Sequence, residues 1–214
     1  MKRENFTKWR AGSRAQAGFT LIEMIIVLGI IAILAAILVP TLTKYVKHAR
    51  ISKAEKETYL MCAAIGQFHN DTGRWPTSED YSTLSGRDNL NLLRTGLSAI
   101  DPEEFSGPSD KQWLNKHPKD FVGNQIINSH ANYPLTGPNR WNGPYLDRYI
   151  GPDPWGHRYL INIQYLRSDH VNNTRSVFVL SAGPDGEIDT PFEGSVLHDY
   201  IVHAHDDDIV CRLK

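Results

Sequence analysis

Two positions near the amino terminus carry chemistry that their surroundings do not explain. Glu23 lies inside FTLIEMIIVLGIIAILAAILVP, the run from Phe19 to Pro40, where burying an ionised carboxylate in lipid costs at least a few kcal/mol. Such a residue needs a partner. The Gly18–Phe19 bond follows the small pair Ala17-Gly18 and precedes the apolar run, whereas a secretory signal is cut after its apolar run. Cleavage there keeps the run in the mature chain. It also creates an α-amino group on Phe19, a cation that the Glu23 carboxylate of a neighbouring subunit neutralises in a packed bundle of helices.

The element that must position these groups is a membrane helix. About 21 residues precede Pro40, and at ~1.5 Å per residue they span ~30 Å, the thickness of a hydrocarbon core. Residues 1–18 form a leader with Lys2, Arg3, Lys8, Arg10 and Arg14 against Glu4, which keeps that side cytoplasmic. Pro40 has no amide hydrogen and crowds the preceding turn, predicting a kink or a loosened turn, with Gly29 in the same half. Beyond it, Leu42, Tyr45, Val46, Ala49, Ile51, Ala54, Thr58, Met61, Cys62, Ile65 and Phe68 recur at helical steps, with lysines mostly between them. This predicts an amphipathic continuation over 41–70, the two halves forming one rod of roughly 75 Å. Asn70-Asp71-Thr72-Gly73 is its stop, Gly73 suiting a left-handed cap.

The string GFTLIE, with a basic leader before it and Pro40 after it, resembles the class III signal of type IV pilins and type II secretion pseudopilins. The resemblance implies that a prepilin peptidase cuts after Gly18, that Phe19 is N-methylated, and that Glu23 is needed for assembly. Further along, GRWPT at 73–77, WNGPYL at 141–146 and DPWGHRY at 153–159 are similar to segments of the major pseudopilins. Trp155 is a large apolar anchor beside Gly156, suited to core packing rather than catalysis. Residues 159–165 and 176–181 read as two antiparallel strands joined by a polar link. The stretch 78–140 mixes turn residues with short apolar patches at 90–97 and 121–127, and departs from the family as an insertion, read as a subunit contact first, or else a substrate or adhesive surface, or padding.

SAGPDGEID, from Ser181 to Asp189, resembles the major pseudopilin loop that holds a structural calcium ion. Calcium takes six to eight oxygen ligands from carboxylates and carbonyls. The resemblance carries a side-chain ligand onto Asp185 and a backbone ligand onto Ala182. Asp206-Asp207-Asp208-Ile209 resembles the family's second acidic cluster, although a longer stretch separates the two pieces here. Whether Asp189 or a later aspartate closes the site stays open, and removing the ion is expected to melt the loop.

Other classes fare worse. Without the leader, 18 basic residues face 23 acidic ones, a formal charge of −5, so no electrostatic footprint for nucleic acid is present. The CxxC and HExxH zinc patterns, GxGxxG and the P-loop are absent. His198, His203 and His205, beside Asp199 and Asp206, offer a zinc alternative to ordinary surface histidines. Cys62 and Cys211, in a head facing an oxidising compartment, either form a bridge worth up to roughly 5 kcal/mol or stay unpaired.

The expected fold is α+β and pilin-like, a long N-terminal helix packed on a small antiparallel sheet. The expected organisation is a cleaved leader at 1–18, a transmembrane and filament-core helix at 19–40, its amphipathic half at 41–70, and a periplasmic head at 71–214. The expected function is structural: a single-pass inner-membrane subunit that homopolymerises into a periplasmic type II secretion pseudopilus. Its partners would be minor pseudopilins, the prepilin peptidase, the inner-membrane platform with its ATPase, and lipid before assembly. The alternatives are a type IV pilin serving adhesion, motility or DNA uptake, and a membrane enzyme borrowing a pilin anchor, which lacks any defensible catalytic constellation.

Overall fold

A capping box starts the long helix. In this computed structural model, which describes residues 18–78, 89–96, 119–128, 133–168, 175–190 and 206–214, Thr20 immediately precedes α1 (Leu21–Thr72). The Thr20 hydroxyl accepts the Glu23 amide at 3.3 Å, while the Glu23 carboxylate accepts the Thr20 amide at 2.8 Å and the Thr20 hydroxyl at 2.7 Å. Otherwise orphaned amides are thus satisfied reciprocally. At the far end, Gly73 adopts φ +68° and donates its amide to the His69 carbonyl at 2.8 Å, the left-handed cap that its sequence predicts. The chain stays helical through Pro40, where a loosened turn is expected. The hydroxyls of Thr41 and Thr43 donate to the carbonyls of Ile37 and Pro40.

The chain divides into two units, Met1–Tyr45 and Val46–Lys214. In the first, the apolar side chains have no protein cover: Leu21 is 77% exposed and Ile37 67%. Among the described residues, α1 is the helix long and apolar enough to cross a membrane, and its most apolar window is wholly unburied. A soluble core helix would bury such a face.

In the second unit, α1 turns Ala54, Thr58, Met61, Cys62, Ala64, Ile65, Phe68 and Thr72 inward. The buried face begins at Ala54, so Leu42, Tyr45 and Val46, which fit the helical pattern, stay exposed. A five-stranded sheet is built from β1 (Leu92–Arg94), β2 (Lys119–Phe121), β3 (Leu160–Ile161), β4 (Phe178–Ser181) and β5 (Ile209–Arg212), in the order β2-β1-β3-β4-β5. Leu93 pairs with Ile161, Ile161 with Val179, and Val179 with Cys211. This row joins the buried face of α1 in one core. The alternate residues Leu92, Leu160 and Leu180 face the other way, against Ile188 and Val210, the period of two that a pleated strand imposes. Burying each large apolar side chain contributes about 1.5–3 kcal/mol.

The sheet is mixed rather than wholly antiparallel, because β1 and β2 run parallel. Residues 95–118 separate them, and a parallel pair needs such a long crossover. Both strands, and the short helix α2 (Val122–Ile126), come from the 78–140 stretch, so that stretch supplies part of the sheet. The expected strand at 159–165 is cut short after Ile161, and Ile163–Leu166 form a 3-10 turn. Asn162 explains the break: its side-chain oxygen accepts the Phe178 amide at 2.8 Å, replacing a ladder bond and freeing the backbone to turn.

Candidate metal centre

Strands β4 and β5 end side by side, Ser181 pairing with Ile209, and the two acidic segments depart from this pair. From Ser181 the chain enters a tight turn in which the Gly186 amide donates to the Ala182 carbonyl at 3.1 Å, with Gly183 at φ +61° and Gly186 at φ +76°. Gly183 is needed twice over: its backbone is left-handed, and a Cβ there would overlap the Asp207 carbonyl. Opposite it, Asp206 holds φ 53°, a strained value that short polar residues tolerate.

This backbone gathers carboxylate oxygens of Asp185, Asp189, Asp206 and Asp207 within 4.8 Å of one another. Asp207 Oδ2 accepts the Asp185 amide at 3.3 Å, and Asp185 Oδ1 accepts the Glu187 amide at 2.9 Å. Asp207 Oδ1 is buried without a hydrogen-bond partner. Burial first, and then the Asp185 charge, push the Asp207 carboxyl above its ordinary range. Four clustered carboxylates and an unsatisfied buried oxygen repel one another unless a cation joins them, and an all-oxygen set suits a hard divalent ion such as calcium.

Of the predicted ligands, Asp208 stands apart. Its Oδ2 accepts the amides of Asp189 at 3.0 Å and Thr190 at 2.6 Å, so it fixes the backbone at Asp189. Burial raises its pKa, opposed by those Thr190 bonds. The zinc alternative on His198, His203 and His205, with Asp199, lies outside the described residues.

Sequence reasoning missed the floor under this loop. Asp153, of DPWG, is 4% exposed and accepts the amides of Trp155 and His157 on Oδ1, both at 2.9 Å, and the Ser181 hydroxyl on Oδ2 at 2.5 Å. Trp155 is partly buried against the core. The signal was the co-occurrence of DPWG and SAGPDG, two motifs whose link becomes visible once Ser181 is placed against Asp153.

Elsewhere, Cys62 of α1 and Cys211 of β5 form a disulfide with Cα atoms 6.5 Å apart, within the ordinary range for a bridge. At the other end of the chain, Gly18 and Phe19 lie exposed before α1, Phe19 at 81%.

Residues 13–39 match the family described as the prokaryotic N-terminal methylation motif, and residues 114–196 match the type II secretion system protein G family. The type II secretion system core protein G of Aeromonas hydrophila is 31% identical over 111 residues, 52% of this chain and 71% of the relative. That of Dickeya chrysanthemi is 26% identical over 177 residues, 83% of each chain. The fimbrial protein EcpC of Eikenella corrodens is 41% identical over 63 residues, 29% of this chain and 41% of that protein. No solved structure matches the chain. The chain belongs to the protein G family, the major pseudopilins of type II secretion. The protein G match takes in residues 114–140, so part of the stretch read as an insertion lies inside the family's own pattern.

Proposed function

We propose that this chain is the structural subunit of a type II secretion pseudopilus, polymerising through its N-terminal helix to drive protein export across the outer membrane. The observation that carries the reading is the protein G match in the head, joined to a Gly18-Phe19…Glu23 start on an uncovered apolar helix. A prepilin peptidase cuts after Gly18, the Phe19 amine is methylated, and Glu23 of one subunit meets the Phe19 ammonium of the next. Before assembly the helix is held in the inner membrane, with the head in the periplasm. The platform and its ATPase then move helices from lipid into a homopolymer tipped by minor pseudopilins. The relatives are pilins and pseudopilins, which supports a structural rather than enzymatic role.

Asp185, Asp189, Asp206 and Asp207, with the Ala182 carbonyl, are the residues proposed to hold calcium. A bound ion supplies the positive charge that lets two distant acidic segments stay together. Asp208 orients the Asp189 end by its two amide bonds.

A deletion strain compared with its parent tests the reading. Specific secreted proteins should vanish from the medium while surface pili persist. Missing pili with an unchanged set of secreted proteins would favour instead a surface pilin, a reading that the fimbrial relative supports.

A further inference from the structure

Resting on the calcium reading above, we propose that Asp153 and Ser181 form a positioning pair that presets the metal loop, so that the DPWG turn governs ion affinity without contributing a ligand. The two groups meet away from the acidic cluster, at the base from which it is built. Ser181 is fully buried and its hydroxyl donates to Asp153 Oδ2 at 2.5 Å. It also lies at 3.4 Å from the Gly183 amide, the first left-handed glycine of the loop.

Because Ser181 pairs with Ile209, fixing it fixes both arms. Four residues after Ser181 stands Asp185, and three before Ile209 stands Asp206. A small rotation at this pair is carried into the separation of the four carboxylates. Asp153 is itself held rigidly, since Oδ1 takes the amides of Trp155 and His157 and its own amide donates to the His157 carbonyl at 2.8 Å. The same turn touches the loop a second time, for a Cβ on Gly186 would overlap the His157 ring. Hydrogen-bonded partners behind metal ligands commonly set affinity by about 10–100-fold when removed.

The test uses the full-length protein in detergent, titrated with calcium chloride by calorimetry, with the melting temperature measured in EGTA alongside. Asp153→Ala should raise the calcium dissociation constant by roughly 10-fold or more. Asp153→Asn should restore it to within about twofold, because an amide oxygen still accepts both backbone amides and its NH2 group can bond the Ser181 hydroxyl. Ser181→Ala, which removes a single hydroxyl, should weaken binding in the same direction and carries the test where Asp153→Ala fails to fold. Wild-type binding with Ser181→Ala and Asp153→Ala unchanged in affinity overturns the positioning role alone. Equal losses in Asp153→Asn and Asp153→Ala also overturn it, since the charge rather than the geometry would then be responsible. A wild-type protein that binds no calcium overturns the metal reading and this inference together.

Discussion

Tyr159, the residue before β3, donates its phenolic hydrogen to Glu57 of α1 at 2.6 Å, a bond that spans 102 positions of sequence. Tyr159 is fully buried, and Glu57 also lies 3.8 Å from Lys53. Burial first, and then the Glu57 bond and charge, raise the Tyr159 pKa well above its ordinary value. A raised folded pKa means that the stabilisation is complete below the unfolded value, near 10, and is lost as pH rises above it. Denaturant melts of the wild type should therefore lose stability above about pH 10, and Tyr159→Phe should reduce that slope. At neutral pH the same substitution should cost about 1.5–3 kcal/mol, the range for a hydrogen bond to a charged group. A neutral-pH loss near zero would show that the bond is not a clamp between helix and sheet.

The disulfide and the acidic cluster both anchor the chain's last segment, Cys211 lying close after Asp207. Reducing the Cys62–Cys211 bridge should lower stability by up to about 5 kcal/mol. Reduction and EGTA together should lower the melting temperature by less than the sum of the separate effects, because each tie lessens the entropic cost of closing the other and so contributes less once the other is gone. Strict additivity in a four-condition thermal melt would argue against this coupling.

Gly183→Ala places a methyl group against the Asp207 carbonyl and forces an L-residue to φ +61°. Calcium binding should fall by at least 10-fold, a loss of about 1.4 kcal/mol or more, and at a fixed calcium concentration the melting temperature should respond less to the ion. An unchanged calcium titration would mean that the two acidic segments do not close on each other.

Glu23→Gln separates two roles of one side chain. Glutamine still completes a capping box with Thr20, so the helix start should persist. The charge proposed to meet a neighbouring ammonium is gone. Processed protein should accumulate in the membrane fraction while filaments disappear, read by gel mobility and electron microscopy of overexpressing cells. Filaments at wild-type levels would place the assembly determinant elsewhere.

The parts of this fold legible in the sequence are those whose physics is local. Twenty-odd apolar residues and a glycine stop define α1 without reference to the rest of the chain. The loop at 181–189 was legible through the resemblance of SAGPDG to the major pseudopilin loop. What stayed hidden depends on partners far away in sequence. β5 is four residues long and half-exposed, so its period-two signal is slight, and its residues read as the tail of an acidic string. The parallel pairing of β1 and β2 was hidden in the same way, each strand having three residues and a long connection between them. The role of Asp153 was hidden because its partner, Ser181, lies 28 positions away.

The Cys62–Cys211 bond also sets how the head carries load. Among the described residues β5 is an edge strand of the sheet, paired with β4 alone, so its outer backbone groups have no ladder to hold them. Here that strand is tethered covalently to the helix, so tension entering through α1 reaches the far edge of the sheet along sulfur rather than through packing. The first and last elements of the head are thus joined by a covalent path in addition to the hydrophobic core packed between them.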